Sequence, residues 1–403
     1  MRTPNPRRLA LLVLATAALG LAAALPLRFS LERTPEAEVR ARIADLRREG
    51  LLGVGAPAAV GVPADAREFA RRLAAFDELL LSDGIGSLPV GSYRPELRDR
   101  MRWLGPLVAE LEELLGGEAC RAALARGVSL AAAADGARSP DVDAVRRWTN
   151  LLCSRALLDA EGGEDPLAIA RLGRAFDLAW LVDDGTATGY EVRWEAEWIA
   201  TWTTRRVVLD DLLDVAELRR AIDPRLVRSV EDARLIDCAR YETELWLASA
   251  EEEVTTEPAE VPGLAPDLAR PVRVEDAFER LDEYERIAEG GRPCEGGFPP
   301  YREDGPPVQQ TLRRWHPTEI QVHQARVALA LAEHRQETGE WPSDLTELAP
   351  RFGGTLPANA CDARPVVLAF EDGEVRLGTP LRRGAARAGE GEDEETLSLW
   401  VWR

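Results

Sequence analysis

The chain has 403 residues, 45% of them hydrophobic and 30% charged, with a formal charge of -20. That length supports two or three domains with a sizeable core, while nucleic acid is excluded as a partner because phosphate neutralisation needs a basic face. All 50 basic residues are arginine, so phosphate-loop nucleotide hydrolysis, kinase-type phosphoryl transfer and Schiff-base catalysis lack the lysine they require.

At the N-terminus, Arg2, Arg7 and Arg8 precede the apolar run 9–25, the layout of a secretory signal or single membrane anchor. Residues 1–27 are therefore expected to place the rest outside the cytoplasm, either anchored in the inner membrane facing the periplasm or exported. An acidic body is repelled by anionic lipid, so membrane contact is confined to this segment.

From 34 to 252 the pattern is helix after helix. Thr34, Pro35 and Glu36 open the first and Gly50 stops it. A second spans about 65–81. The third opens at Pro95 and repeats Leu97, Met101, Leu104, Leu107, Leu111 and Leu115 at helical spacing before Gly116 and Gly117. Others follow at about 139–162, 165–182, 190–213 and 224–250. Short links between them make antiparallel neighbours. Residues 253–307 read as a linker carrying one amphipathic helix at 274–289. Residues 308–403 begin with a helix over 317–338, then a short helical turn at 345–348. Alternation over 365–370, 374–377 and 397–402 then gives three strands. The expected fold is mainly α: an irregular α-solenoid or helical-hairpin bundle, followed by a small α+β domain of one helix and a three-stranded antiparallel sheet.

Within 325–380 the string Ala330-Leu331-Ala332-Glu333-His334-Arg335, then Thr338-Gly339-Glu340-Trp341-Pro342, Asp344-Leu345, Leu348 and Leu356-Pro357 resembles the globular head of type II secretion pseudopilins. The acidic tail 389–395 with Ser398, Leu399 and Trp400 is similar to the calcium loop of major pseudopilins. That resemblance implies calcium at Asp393, Glu394 and Glu395. Arg382, Arg383 and Arg387 lie on the same excursion and offer internal pairing, so weak calcium binding or none is expected. The N-terminus departs from the family: it has no Gly-Phe-Thr-Leu-Ile-Glu processing site. The helical part, with Leu172-Gly173-Arg174-Ala175-Phe176-Asp177, resembles uncharacterised exported helical proteins of high-GC bacteria.

Tyr190, Trp194, Trp198 and Trp202 recur every four residues beside Glu191 and Glu195. An aromatic platform with two carboxylates can stack and cleave a glycan, making Glu191 and Glu195 the candidate catalytic pair. The competing reading is that the tryptophans fill a helix interface. His316, Glu319 and His323 fall one turn apart on a helix, a pattern that also arises on polar faces without metal. Five cysteines lack metal or redox spacing, and Cys294 with Cys361 is the disulfide pair favoured by position in irregular segments. The functional expectation is a scaffold of the cell envelope that acts without catalysis or cofactor and binds an envelope protein partner. The alternatives are a glycan-active protein and a pseudopilin-like secretion component.

Overall fold

In a computed structural model of the chain, residues 35–49, 64–82, 101, 103–126, 130, 142–183, 187–230, 281–282, 285, 307–358, 365–371, 373–382 and 394–402 are described. The export segment 1–27, the helix start at Pro95, Cys294, Cys361 and Asp393 lie outside them. Mainly helical, with a small antiparallel sheet at the C-terminal end, the architecture is the one expected from sequence.

The chain divides into two compact units, one from 1–54 with 243–289, the other from 55–242 with 290–403. In the first, α1 (Pro35–Arg48) buries Val39, Ile43 and Leu46 at three- and four-residue spacing. Arg42 grips Glu285 through Nε and Nη2 at 3.1 and 2.6 Å, and Asp282 at 2.8 Å.

The second unit holds α2 (Ala64–Ser82), α3 (Gly105–Leu115), α4 (Glu118–Arg126), α5 (Val142–Glu161), α6 (Asp165–Val182), α7 (Ala187–Leu209), α8 (Val215–Val230) and α9 (Pro307–Thr338). A 3-10 helix (Leu345–Phe352) and strands β1 (Val367–Glu371), β2 (Glu374–Arg382) and β3 (Glu394–Trp402) complete it. Helices α5, α6 and α7 pack on one another, and α9 covers both α7 and α8. Twelve residues of α6 are buried, from Ala168 to Val182. That is more than one stripe, because neighbours enclose this helix on several sides.

Three chain reversals use one device. After α5, Glu164 N–H reaches Asp159 O at 2.8 Å and Gly163 N–H reaches Ala160 O at 3.1 Å, with Gly163 at φ 76°. This pair of bonds is the Schellman closure, which needs a left-handed residue. It recurs after the 3-10 helix at Gly353, φ 75°. After α7, Asp211 at φ 51° takes the glycine's place, with Leu212 N–H on Val207 O and Asp211 N–H on Val208 O.

Several boundaries differ from the sequence reading. Gly116 and Gly117 interrupt rather than end the helical run, and α4 follows at once. Pro224 was expected to open a helix, yet it lies inside α8. That helix starts nine residues earlier, where Asp214 Oδ1 accepts Glu217 N–H at 2.9 Å. An interior proline costs about 3 kcal/mol; here the fully buried Leu218, Ile222 and Leu226 offset it. Likewise α9 begins at Pro307 and runs through Pro317.

Strand order is β1-β2-β3, all antiparallel, with Leu377 opposite both Leu368 and Trp400, and a bulge between Leu377 and Gly378. β3 starts at Glu394, three residues before the expected 397. Val375, Leu377, Thr379, Trp400 and Trp402 are buried, and both β2 and β3 contact α9. The rings of Trp341, Trp402 and Trp400 follow one another at centroid distances of 5.2 and 5.8 Å, and Arg335 caps Trp341 at 4.5 Å. The expected boundary at 308 therefore does not separate two cores: α9 carries the sheet and also walls the helices.

Candidate functional site

The aromatic stripe lies on α7, whose neighbours are α5, α6 and α9. Trp194 is buried, while Trp198 and Trp202 are half-buried, Trp198 packing against the core. The Trp198 carbonyl accepts Gln321 Nε2 from α9 at 3.3 Å. Glu195 accepts Arg146 Nε from α5 at 2.8 Å, and the same guanidinium holds Asp143 at 2.8 Å. The stripe's backbone is thus helical throughout, as read from its spacing. The side chains of Tyr190 and Glu191 fall outside the described residues.

Behind the stripe lies an arrangement that the sequence reading missed. Arg193 (2% exposed) donates Nη1 to Asp183 (0%) at 3.1 Å and Nε to Glu197 (3%) at 2.9 Å. Its Cζ lies 4.6 Å from the centroid of Trp180, and Arg228 approaches the same ring at 4.8 Å. Arg228 Nη2 donates to Asp177 at 3.1 Å, while Arg225 grips both oxygens of Asp177 at 3.0 and 2.7 Å. Burial pushes the Arg228 guanidinium below its ordinary value, and Asp177 opposes that shift. Among the described residues, three carboxylates meet three guanidinium groups on or beside α6, α7 and α8. A buried charge is tolerable only when so paired.

Gly173 explains part of the string 172–177. A Cβ there would meet Arg225 Cζ at 3.1 Å, so the bare backbone makes room for the guanidinium on its way to Asp177. The available sequence signal was the i, i+4 pair Arg193 and Glu197 set within an otherwise apolar and aromatic helix.

The other candidates do not converge. His323 is buried on α9, the side chains of His316 and Glu319 are outside the described residues, and no metal-ligand cluster of three occurs among the described residues. Cys120 and Cys153 are buried and free; burial raises their thiols to about 11 and about 12. Of the expected calcium ligands, Glu394 and Glu395 open β3 opposite Arg382 and Leu381 rather than lying in a loop.

No protein-family model matches the chain, and no curated protein or solved structure matches it either.

Proposed function

We propose that this chain is a helical scaffold of the cell envelope that acts without catalysis, tethered or exported through residues 1–27, and that it presents its helices to an envelope protein partner. The observation that carries this reading is the use made of α7. Three of the residues that would form a glycan cleft have packing roles: Trp194 is buried, the half-buried Trp198 packs against the core, and Glu195 is bonded to Arg146 of α5. A catalytic pair needs carboxylates free to exchange protons with substrate. The arginine-flanked apolar run supports envelope placement, as does the likeness of 325–380 to pseudopilin heads.

A two-part experiment tests it. A reporter that is active only after export, fused at Arg28, should be active, and cytoplasmic activity would overturn the placement. Trp198→Ala should lower stability by about 3 kcal/mol, toward the low end for loss of a core tryptophan because the ring is half-buried. If Trp198→Ala or Glu195→Gln instead left the melting midpoint unchanged and abolished binding to a glycan array, the glycan reading would replace this one.

A further inference from the structure

From Val192 to Leu209, the residues of α7 that stay half-buried are Glu195, Trp198, Trp202, Arg205 and Leu209; those between them are buried, apart from the exposed Arg206. They step by three, four, three and four residues, so they form one narrow stripe. That alternation is the pattern by which a helix pairs lengthwise with another helix. Trp198 and Leu209 rest on the core along their inner edges, while helices α5, α6 and α9 pack against the other sides of α7.

The stripe carries opposite charges toward its two ends. Glu195 is bonded through Oε1 alone, to Arg146 Nε at 2.8 Å; Arg146 also holds Asp143 at 2.8 Å, so its charge is divided and Oε2 of Glu195 is open to a second donor. Arg205 is the complementary case. Its Nε is buried without a hydrogen-bond partner, and burial pushes its guanidinium below the ordinary value with no carboxylate among the described residues opposing the shift. The neighbouring Arg206, by contrast, is paired with Asp210 at 2.6 Å. A desolvated cation is costly until an anion meets it.

Glu195 and Arg205 are separated along the helix by about 15 Å, with residue 200 midway and Trp198 and Trp202 placed symmetrically about it. A second α7 laid antiparallel across that midpoint sets Arg205 against Glu195 at both ends and Trp198 against Trp202 between them. A parallel copy sets Arg205 against Arg205 and Glu195 against Glu195. Like charges across an interface are unfavourable, so charge selects the antiparallel pair. The resulting contact is isologous and closes on itself, one patch serving both copies.

We infer that the half-buried stripe of α7 is the surface through which two copies of this chain pair, antiparallel and centred near residue 200. The inference rests on the scaffold reading and gives it a partner surface, with a second copy as the occupant. The tryptophans supply contact area, and the two Glu195–Arg205 pairs fix register and direction.

Cross-linking of the full chain in detergent with a short thiol-reactive linker tests the assignment. Glu195→Cys alone and Arg205→Cys alone should cross-link no more than the unaltered chain, because like positions lie about 15 Å apart along the paired helices. An equal mixture of the two variants should cross-link strongly, since one Glu195–Arg205 pair survives at the other end. In sedimentation, Arg205→Gln should weaken the dimer about tenfold or more without changing the circular dichroism spectrum. A chain that sediments as a monomer at micromolar concentration, a single variant that cross-links as well as the mixture, or an unchanged Arg205→Gln would each overturn the inference and leave the scaffold reading standing. Glycan binding that is lost with Trp202→Ala would overturn both.

Discussion

Arg193 shows what a single residue does in this interior. Its guanidinium serves two carboxylates, Asp183 and Glu197, and lies against Trp180, all out of water. Lysine would supply charge without the planar fork or the stacking surface, which is consistent with a chain whose basic residues are all arginine. Removing one partner of a buried pair strands the other charges, so Arg193→Met should cost about 3–5 kcal/mol, read as a shift in denaturant midpoint. A loss under about 1 kcal/mol would mean that water reaches the cluster. This site was only half legible from sequence. The spacing of Arg193 and Glu197 was visible, but their burial depends on α5, α6 and α9 packing against α7, and amphipathic patterning does not report which neighbours cover a given face.

Helix ends carry the next level of information. Residues 165–182 were readable as α6 because Pro166 opens it and the apolar run stops at Val182. At Pro224 the same proline rule misled, since the cap at Asp214 and the spacing of Leu218, Ile222 and Leu226 outweigh it. The closure after α7 is the least comfortable of the three, because Asp211 holds a left-handed backbone that glycine adopts freely. Asp211→Gly should therefore stabilise by about 0.5–1 kcal/mol, measurable as a rise in melting midpoint. An unchanged or lower midpoint would give the Asp211 side chain a role of its own. The 3-10 helix has a reciprocal cap: Asp344 accepts Thr346 N–H at 2.7 Å, and Glu347 accepts the hydroxyl and N–H of Ser343. These bonds hold Asp344 and Glu347 below their ordinary 3.8 and 4.5. Lowered carboxyls stabilise the fold above their ordinary range and lose that contribution as pH falls through the folded values. The midpoint gap between wild type and Asp344→Ala should thus be widest near neutrality and narrow below about pH 4; a gap that is constant with pH would assign it to packing instead.

Across the molecule, the helix-then-sheet order was readable because the hydrophobic period changes from 3.6 to 2 after 348. Which elements share a core was not, since sequence adjacency says nothing about α9 returning to α7 and α8. Arg219 of α8 bonds Glu333 of α9, Arg326 of α9 bonds Asp223 of α8 at 3.0 Å, and Val215 N–H reaches Gln336 at 3.3 Å. A fragment ending at residue 306 should accordingly lack cooperative unfolding and bind hydrophobic dyes, and a sharp transition in it would show that the helices close without α9.

The cover supplied by α9 also has a consequence in time. Helices α5 to α8 are complete once residue 230 has been made, yet the buried stretch of α9 that seals them ends at Ala332. At about 5–20 residues per second, synthesis leaves the apolar sides of α7 and α8 waiting for about 5–20 seconds. A chain threaded through a membrane in extended form meets the same delay on the far side. During that interval the apolar sides of α7 and α8 stay open to aggregation or to holding chaperones, and it is α9, before the sheet is made, that closes them.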